Sequence, residues 1–307
     1  PRWSCRLRQA CLRKAKAARD KRAPNRVIPG SLSNWIASTV TKSQKLRAGV
    51  VGTGVFGRFH AQKYAAHADT QLVGIYDSDP ARAADAASAL GTRAFSRLED
   101  LLPAIDIVSV TTPASSHGAV ALQCLGAGKH LYVEKPIATA LSDADRMIAL
   151  SAEKGLVLQT GHQERLVLGL TGLQDWPVSP LSIACVRAGP FAGRALDVSV
   201  VFDLMIHDID LALWIARAPV SSATAVQRSG PGGPSDEVEA TATLGNGCKV
   251  SFLASRNAPE RKRGFHAVYP DGEVSIDFLT RAVVNTTPRS LRPLVRPGQD
   301  LHPDLAD

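Results

Sequence analysis

The chain has 307 residues, 45% hydrophobic and 21% charged, the balance of a globular protein with room for two domains, which excludes disorder as its global state. Its formal charge of +8 is local: residues 1–46 hold 12 of the 36 Lys and Arg and one acid, Asp20, leaving 24 bases against 27 acids in the rest. A basic tail on a slightly acidic body argues against a nucleic-acid partner, and no apolar run approaches the roughly 20 residues of a membrane span.

The first 46 residues begin with Pro1, show no periodicity, and are expected to be a disordered basic extension. Upstream sequence outside the working protein is the first reading of it, with a targeting segment or a functional basic arm as alternatives. From Lys45 the pattern changes. Leu46 to Val51 is a short buried strand, followed by a glycine turn and a predicted helix from Phe56 to Ala66. A second strand, Leu72 to Tyr76, is closed by Asp77, and an alanine-rich helix follows from Pro80 to Leu90. Ile105 to Val110 is a strand ending at Thr111. A helix from His117 stops at Gly126 and Gly128, and His130 to Val133 is the next strand. Helix Ser142 to Lys154 and strand Leu156 to Thr160 complete an alternation that predicts a doubly wound α/β domain with a parallel sheet over 47–165.

Beyond about residue 165, Leu181 to Arg187, Val238 to Leu244, Cys248 to Ala254, His266 to Tyr269 and Val274 to Phe278 are short strands between Gly, Pro and Asn turns. One clear helix, Asp203 to Arg217, interrupts them. The expectation for 166–307 is an α+β domain with a mostly antiparallel open sheet, serving substrate binding and oligomerisation.

Gly52-x-Gly54-x-x-Gly57 stands directly after the first strand and opens a helix. A turn without side chains lets the backbone approach a pyrophosphate, whose charge the free N–H groups of the helix meet. Asp77 lies 20 residues past Gly57, where a carboxylate accepts hydrogen bonds from ribose hydroxyls. It favours NAD by repelling a 2′-phosphate, while Ser78 and Arg82 stand close enough to serve NADP as the alternative.

The stretches GVVGTGVFGRFHAQKY (49–64), TTPASSH (111–117), EKP (134–136), GHQER (161–165) and DLMIHDIDL (203–211), in this order, give a sequence that resembles the Gfo/Idh/MocA oxidoreductases from the glycine turn to about residue 280. The resemblance implies a Rossmann domain followed by a substrate domain. It implies that Gly52, Gly54, Val55, Phe56, Gly57, Asp77, Thr111, Thr112, Pro113, His117, Glu134 and Lys135 hold the nicotinamide cofactor. It further implies that Lys135 contacts the reacting oxygen, that Asp203 is an assisting acid, and that His207 is the general base. Residue by residue the chemistry is sound: an ammonium stabilises developing alkoxide charge, and an imidazole accepts an alcohol proton near neutral pH. The bland alternatives are a surface lysine at a strand end and a hydrogen-bonded core histidine.

Asp203 and His207 share one helical face at i, i+4, whereas Asp208 and Asp210 fall on others and are expected to cap or pack. Glu164 and Arg165 are candidates for substrate polar groups, with a salt bridge between the halves as the competing reading. Arg187 and Arg194 are candidates for an anionic substrate group.

Within the family, DLMIHDIDLALWI with GHQER and RAGPF is similar to the branch that oxidises the 3-hydroxyl of UDP-N-acetylglucosamine. LVLGLTGL after Arg165 departs from the Phe-Asn-Pro more usual there. The alternatives are a free polyol or sugar dehydrogenase of the inositol or glucose type and a non-catalytic, cofactor-sensing Rossmann protein. The chain ends at Asp307, ahead of the closing helix usual in the family, so its C-terminus is expected to be short. Cys5, Cys11, Cys124, Cys185 and Cys248 form no C-x-x-C pair, so neither a metal site nor a disulfide framework is expected and a cytoplasmic location fits. The resemblance also implies a homodimer or homotetramer through the second sheet.

Overall fold

A computed structural model describes residues 45–294, Arg194 excepted. The expectations for residues 1–44, Arg194 and the short C-terminus lie outside the described residues.

The first half is a parallel sheet of six strands: β1 (Leu46–Val51), β2 (Thr70–Tyr76), β3 (Arg93–Phe95), β4 (Ile107–Val110), β5 (His130–Val133) and β6 (Leu158–Thr160). Its order, β3-β2-β1-β4-β5-β6, is that of a Rossmann sheet, reversing direction between β1 and β4. The intervening helices are α1 (Val55–Ala66), α2 (Pro80–Ala89), α3 (His117–Gly126) and α4 (Leu141–Glu153). Period-2 alternation sends the strand side chains to both faces. Val50 and Ile75 meet Ala61, Ala86 and Ala87 on one side. Val51, Val108, Val110 and Val133 meet Ala121, Cys124, Leu125 and Met147 on the other. α2 starts where it does because Asp79 caps it, its side chain accepting from the N–H of Ala81 and Arg82, with Pro80 at the first helical position.

The second half is a seven-stranded sheet ordered β13-β12-β11-β7-β10-β9-β8. Its strands are β7 (Ser182–Ala188), β8 (Val220–Gly230), β9 (Gly233–Leu244), β10 (Lys249–Ser255), β11 (Lys262–Tyr269), β12 (Gly272–Asp277) and β13 (Val283–Asn285). All neighbours are antiparallel except the β7–β10 pair. Helix α5 (Ile206–Ala216) covers one face, packing Leu211 and Ile215 into a core with Ile183, Cys185 and Phe265. Full burial of side chains of this size stabilises by about 1.5–3 kcal/mol each.

The alternation of classes is as expected, with three strands added. β8 has no counterpart among the expected strands because VSSATAVQRSG has no buried face: it is an edge strand exposed along nearly its whole length, so the hydrophobic alternation that marks a strand is missing. β3 and β13 have three residues each, too short for any period. Short helices at Leu98–Leu101 and Glu164–Gly169 escaped for the same reason. The long helix divides into a π-helical turn at Val201–Met205 and α5 from Ile206 to Ala216. It ends where Arg217 turns left-handed at φ 53°.

Candidate active site

The glycine turn is a packing solution as much as a binding one. Gly52 has φ +87°, and a Cβ there would lie 2.7 Å from Thr112 N. A Cβ on Gly57 would lie 1.9 Å from the Gly52 carbonyl oxygen. Gly54 differs: nothing stands within 4 Å of its Cβ position. Thr111 pins the turn from β4, its hydroxyl donating to the carbonyls of Val51 at 3.1 Å and Gly52 at 2.6 Å. α1 starts at this turn without a side-chain cap and without an acid in its first turn, so its first N–H groups keep their positive end toward the crevice. Uncapped N–H groups beside an open glycine fit a dinucleotide pyrophosphate.

Asp77, at the end of β2, is buried and heavily engaged. Oδ2 accepts from the Thr53 N–H at 2.7 Å and hydroxyl at 2.8 Å, and Oδ1 from Asp79 N at 2.9 Å and Arg82 Nη2 at 3.1 Å. Burial alone would raise its pKa, but the hydrogen bonds from Asp79 and Thr53 and the charge of Arg82 bring it below the usual aspartate value.

From β5 the chain enters the EKP loop, where the Lys135–Pro136 bond is cis. Glu134 sits behind the loop: His60 Nε2 is 3.1 Å from Oε1, and Oε2 accepts from the Lys135 N–H at 3.2 Å. His60 Nδ1 in turn meets the Ser109 hydroxyl, which Tyr64 also reaches. This polar row from α1 to the strand ends was hidden in GRFHAQKY, where only the glycine pattern drew notice. His117 is 1% exposed and both its ring nitrogens are committed, Nδ1 to the Pro136 carbonyl at 2.7 Å and Nε2 to that of Thr112 at 2.9 Å. It fastens the TTP loop to the EKP loop.

Lys135 brings the two halves together. Its Nζ donates to the Asp203 carbonyl oxygen at 2.7 Å and to Oδ1 at 3.3 Å. The other carboxylate oxygen of Asp203 accepts from Arg256 Nη2 at 3.3 Å. Asp203 lies in the π-helical turn, a widened turn that often marks a functional position. Arg256 also donates to the carbonyls of Ala195 and Val198 and so holds the loop ahead of that turn. Nothing in the sequence pattern signalled Arg256, because its partners, Asp236 among them at 3.5 Å, lie 20 to 61 residues away.

His207 is 6% exposed and its Nδ1 is buried without a hydrogen-bond partner. Burial drives its pKa well below the ordinary histidine value, and the charges of Lys135 and Arg187 push the same way. His162 is lowered too, by burial first, with the Asp210 carboxylate opposing.

Glu164, Arg165 and Arg187 sit in ion pairs. Arg165 forks onto Asp210, with Nε 2.6 Å from Oδ2. Arg187 donates to Asp208 through Nη2 at 3.0 Å and to Glu164 through Nη1 at 3.0 Å, all largely buried. Burial works against the Arg187 charge, but Asp208 and Glu164 outweigh it and raise its pKa. Asp208, by contrast, is raised mainly by its burial. Asp208 and Asp210 are thus the packing partners of these arginines.

A crevice of about 680 Å³ runs along the strand ends, a size suited to a cofactor site. Gly52, Gly54, Phe56, Asp77, Thr111, Thr112, Pro113, His117, Glu134, Lys135 and Asp203 line it, with Ser78 and Arg82. Val55, 71% exposed, and Gly57, buried under the turn, do not, nor do His207, Glu164, Arg165 and Arg187. Tyr76, Val198 and Phe202 line it without having been expected. So does Asp197, which accepts from Ser115 N at 3.1 Å and links the two halves. Among the described residues no cluster of His, Cys, Asp and Glu could hold a metal ion.

A Rossmann sheet, an open glycine turn and a lysine joined across the crevice to an aspartate of the second half define an NAD-binding oxidoreductase. Residues 46–162 match the Gfo/Idh/MocA oxidoreductase family, NAD-binding Rossmann fold, and residues 173–276 its C-terminal domain. The chain belongs to the Gfo/Idh/MocA family. It is 38% identical over 239 residues to the UDP-N-acetylglucosamine 3-dehydrogenase of Acidithiobacillus ferrooxidans, covering 78% of this chain and 76% of that protein. A solved structure of that enzyme superimposes with a TM-score of 0.77 at 37% identity, over 82% of this chain and 84% of that one. An inositol 2-dehydrogenase of Leifsonia xyli is 31% identical over 193 residues, 60% of this chain and 57% of that protein.

Proposed function

We propose that this chain oxidises a secondary alcohol of a nucleotide sugar with NAD, the first candidate being the 3-hydroxyl of UDP-N-acetylglucosamine. The parallel-sheet half to residue 165 holds the dinucleotide, and the half from 166 presents the sugar. The observation that carries the reading is the joining of Lys135 to Asp203 in the same crevice that Gly54 and Asp77 line. The likeness to the Acidithiobacillus enzyme supports the choice of sugar.

When bound, the dinucleotide supplies the hydride acceptor. The chain's own groups do the rest. The Lys135 ammonium is fixed by the carboxylate and the carbonyl of Asp203, so it meets negative charge on the substrate oxygen without first reorganising. His207 takes the hydroxyl proton: it is neutral in its buried setting, and its Nδ1 is without another partner. Asp203 positions Lys135, and Arg256 positions Asp203. NADP is the alternative cofactor, since Arg82 lies against Asp77.

A free polyol or sugar is the second reading, supported by the likeness to inositol 2-dehydrogenases. A non-catalytic cofactor sensor would have no need of Lys135, Asp203 and His207 together. Self-association through the second sheet is part of the proposal: its outer face carries the small residues Ala184, Thr224, Thr241 and Ser251 and exposed Val226. So is a reducing, cytoplasmic setting, in keeping with the buried free thiols of Cys124, Cys185 and Cys248. No helix among the described residues is long and apolar enough to cross a membrane.

The test is NADH formation with UDP-N-acetylglucosamine, other UDP-sugars, myo-inositol and glucose. Turnover of the UDP-sugar is expected, with Lys135→Ala lowering kcat by about 10²–10³. Turnover of myo-inositol alone would move the chain to the second reading, and wild-type rates in Lys135→Ala would remove its role.

A further inference from the structure

Beside the crevice lies a second, smaller cavity of about 60 Å³ whose walls hold four arginines, Arg187, Arg256, Arg261 and Arg263, and a single carboxylate, Asp203. The arginines come from β7, the end of β10 and the start of β11, so three adjacent strands of the second sheet place their guanidinium groups around one space. Arg261 is exposed, so the cavity meets solvent at its rim.

Two features point to an anionic ligand. Arg256 is largely buried, yet its Nε–H has no hydrogen-bond partner, although a buried donor without an acceptor is costly. A guanidinium also presents donors in a planar fork suited to phosphate oxygens. Arg187 spends its fork on Asp208 and Glu164 and Arg256 its Nη groups on Asp203 and Asp236, so the groups that would meet an anion are the Arg256 Nε–H and the guanidinium groups of Arg261 and Arg263. Asp203 is shared with the reaction crevice. An anion in this cavity therefore sits one side chain away from the place where Lys135 and Asp203 meet the alcohol.

We infer that this arginine cavity binds a phosphate of the substrate, the diphosphate of a nucleotide sugar, and so fixes which ring hydroxyl faces Lys135. The inference rests on the nucleotide-sugar reading above and adds the group that is recognised and the residues that recognise it. A cavity of this size takes one phosphate inside and leaves its neighbour at the rim, beside Arg261. A neutral polyol gains nothing from it, so the cavity is a device for choosing between the two substrate classes.

The experiment titrates UDP and inorganic diphosphate into the full chain by calorimetry, with NADH present. The proteins are wild type, Arg261→Ala, Arg261→Lys, Arg263→Ala and, as a control, Arg228→Ala in the exposed ion pair of β8. Loss of one charge-assisted contact is expected to weaken UDP binding about tenfold or more in the two alanine variants. Arg261→Lys should fall between, and Arg228→Ala should bind as wild type does. Raising salt from 50 to 500 mM should weaken the wild type more than Arg261→Ala. Because Arg261 is exposed, its variants should unfold at the wild-type temperature even if Arg263→Ala does not fold. Unaltered UDP affinity in Arg261→Ala and Arg261→Lys would overturn the inference. If UDP-N-acetylglucosamine is still oxidised by those variants with an unchanged KM, the cavity assignment falls and the substrate reading stands. If no UDP-sugar is oxidised while diphosphate binds in an Arg261-dependent way, the substrate reading falls and the anion site stands.

Discussion

Arg82 lies directly on Asp77, Nη2 3.1 Å from Oδ1, and takes the last acceptor position of a carboxylate whose other three are filled by Thr53 and Asp79. An ionised carboxylate has about four such positions, so a ribose hydroxyl competes with Arg82. The pair also cancels much of the repulsion that a lone Asp77 would direct at a 2′-phosphate. Arg82→Ala should therefore weaken NADPH about tenfold, the loss of one charge-assisted contact, while leaving NADH within about threefold or tightening it. Fluorescence titrations with both reduced cofactors check this. An unchanged NADPH-to-NADH ratio would place the choice of cofactor elsewhere.

The three glycines of the turn are expected to separate folding from binding. Gly54→Ala puts a methyl into open space, so the fold should tolerate it within about 1 kcal/mol, yet the methyl stands where a pyrophosphate must approach. NADH affinity should fall at least about tenfold at nearly unchanged Tm. Gly57→Ala drives a Cβ to 1.9 Å from the Gly52 carbonyl oxygen, and α1 must shift. This variant should unfold at lower temperature as well as losing NADH. Thermal melts beside the titrations separate the two, and an equal loss of stability in both would show that Gly54 too is a packing residue.

Arg187, 2% exposed, neutralises the buried Asp208 and reaches Glu164. Removing one partner of a buried pair leaves the other charge without compensation. Arg187→Ala should destabilise by about 3–5 kcal/mol, whereas Arg187→Met with Asp208→Leu, which removes both charges, should recover most of that. Urea unfolding of the single and double variants measures it. A single variant as stable as wild type would mean that Arg187 serves a ligand rather than the fold.

Legibility from sequence followed periodicity. β1 was found to the residue because LRAGVV is a buried parallel strand that ends in a glycine turn, and the order of βα units left few other topologies. Lys135, Asp203 and the glycines were legible through short motifs; Gly52, Gly54, Lys135 and Asp203 line one crevice, whereas Gly57 and His207 do not. Arg256, Arg261 and Arg263 were missed: RNAPERKRGF reads as an ordinary charged turn, and only the register of β11 against β7, with Arg263 opposite Arg187, turns it toward the site. Glu164 and Arg165 show the converse. Their sequence neighbourhood suggested ligand contacts, but Asp208 and Asp210, on the helix that starts one turn after Asp203, bring compensating charge to them and to Arg187.

The low pKa of His207 has two consequences of known sign. The free enzyme holds a neutral imidazole below the ordinary histidine value of about 6.5, so kcat/KM should stay flat from about pH 8 down through that value and fall only on the acid side of it. His207→Gln should lower kcat by about 10²–10⁴ and abolish that acid limb. Stability moves in the same direction for a different reason. Above the ordinary value the imidazole is neutral in both folded and unfolded chains and contributes nothing to pH dependence. As pH falls below it, the unfolded chain takes up a proton that the buried His207 refuses, and stability drops until the depressed folded value is reached. Urea midpoints at pH 7.5 and 5 should therefore differ less in His207→Gln than in wild type, with His162, also lowered by burial, accounting for part of the remainder. An acid limb centred at 6.5 or above, retained in His207→Gln, would assign the proton to another group.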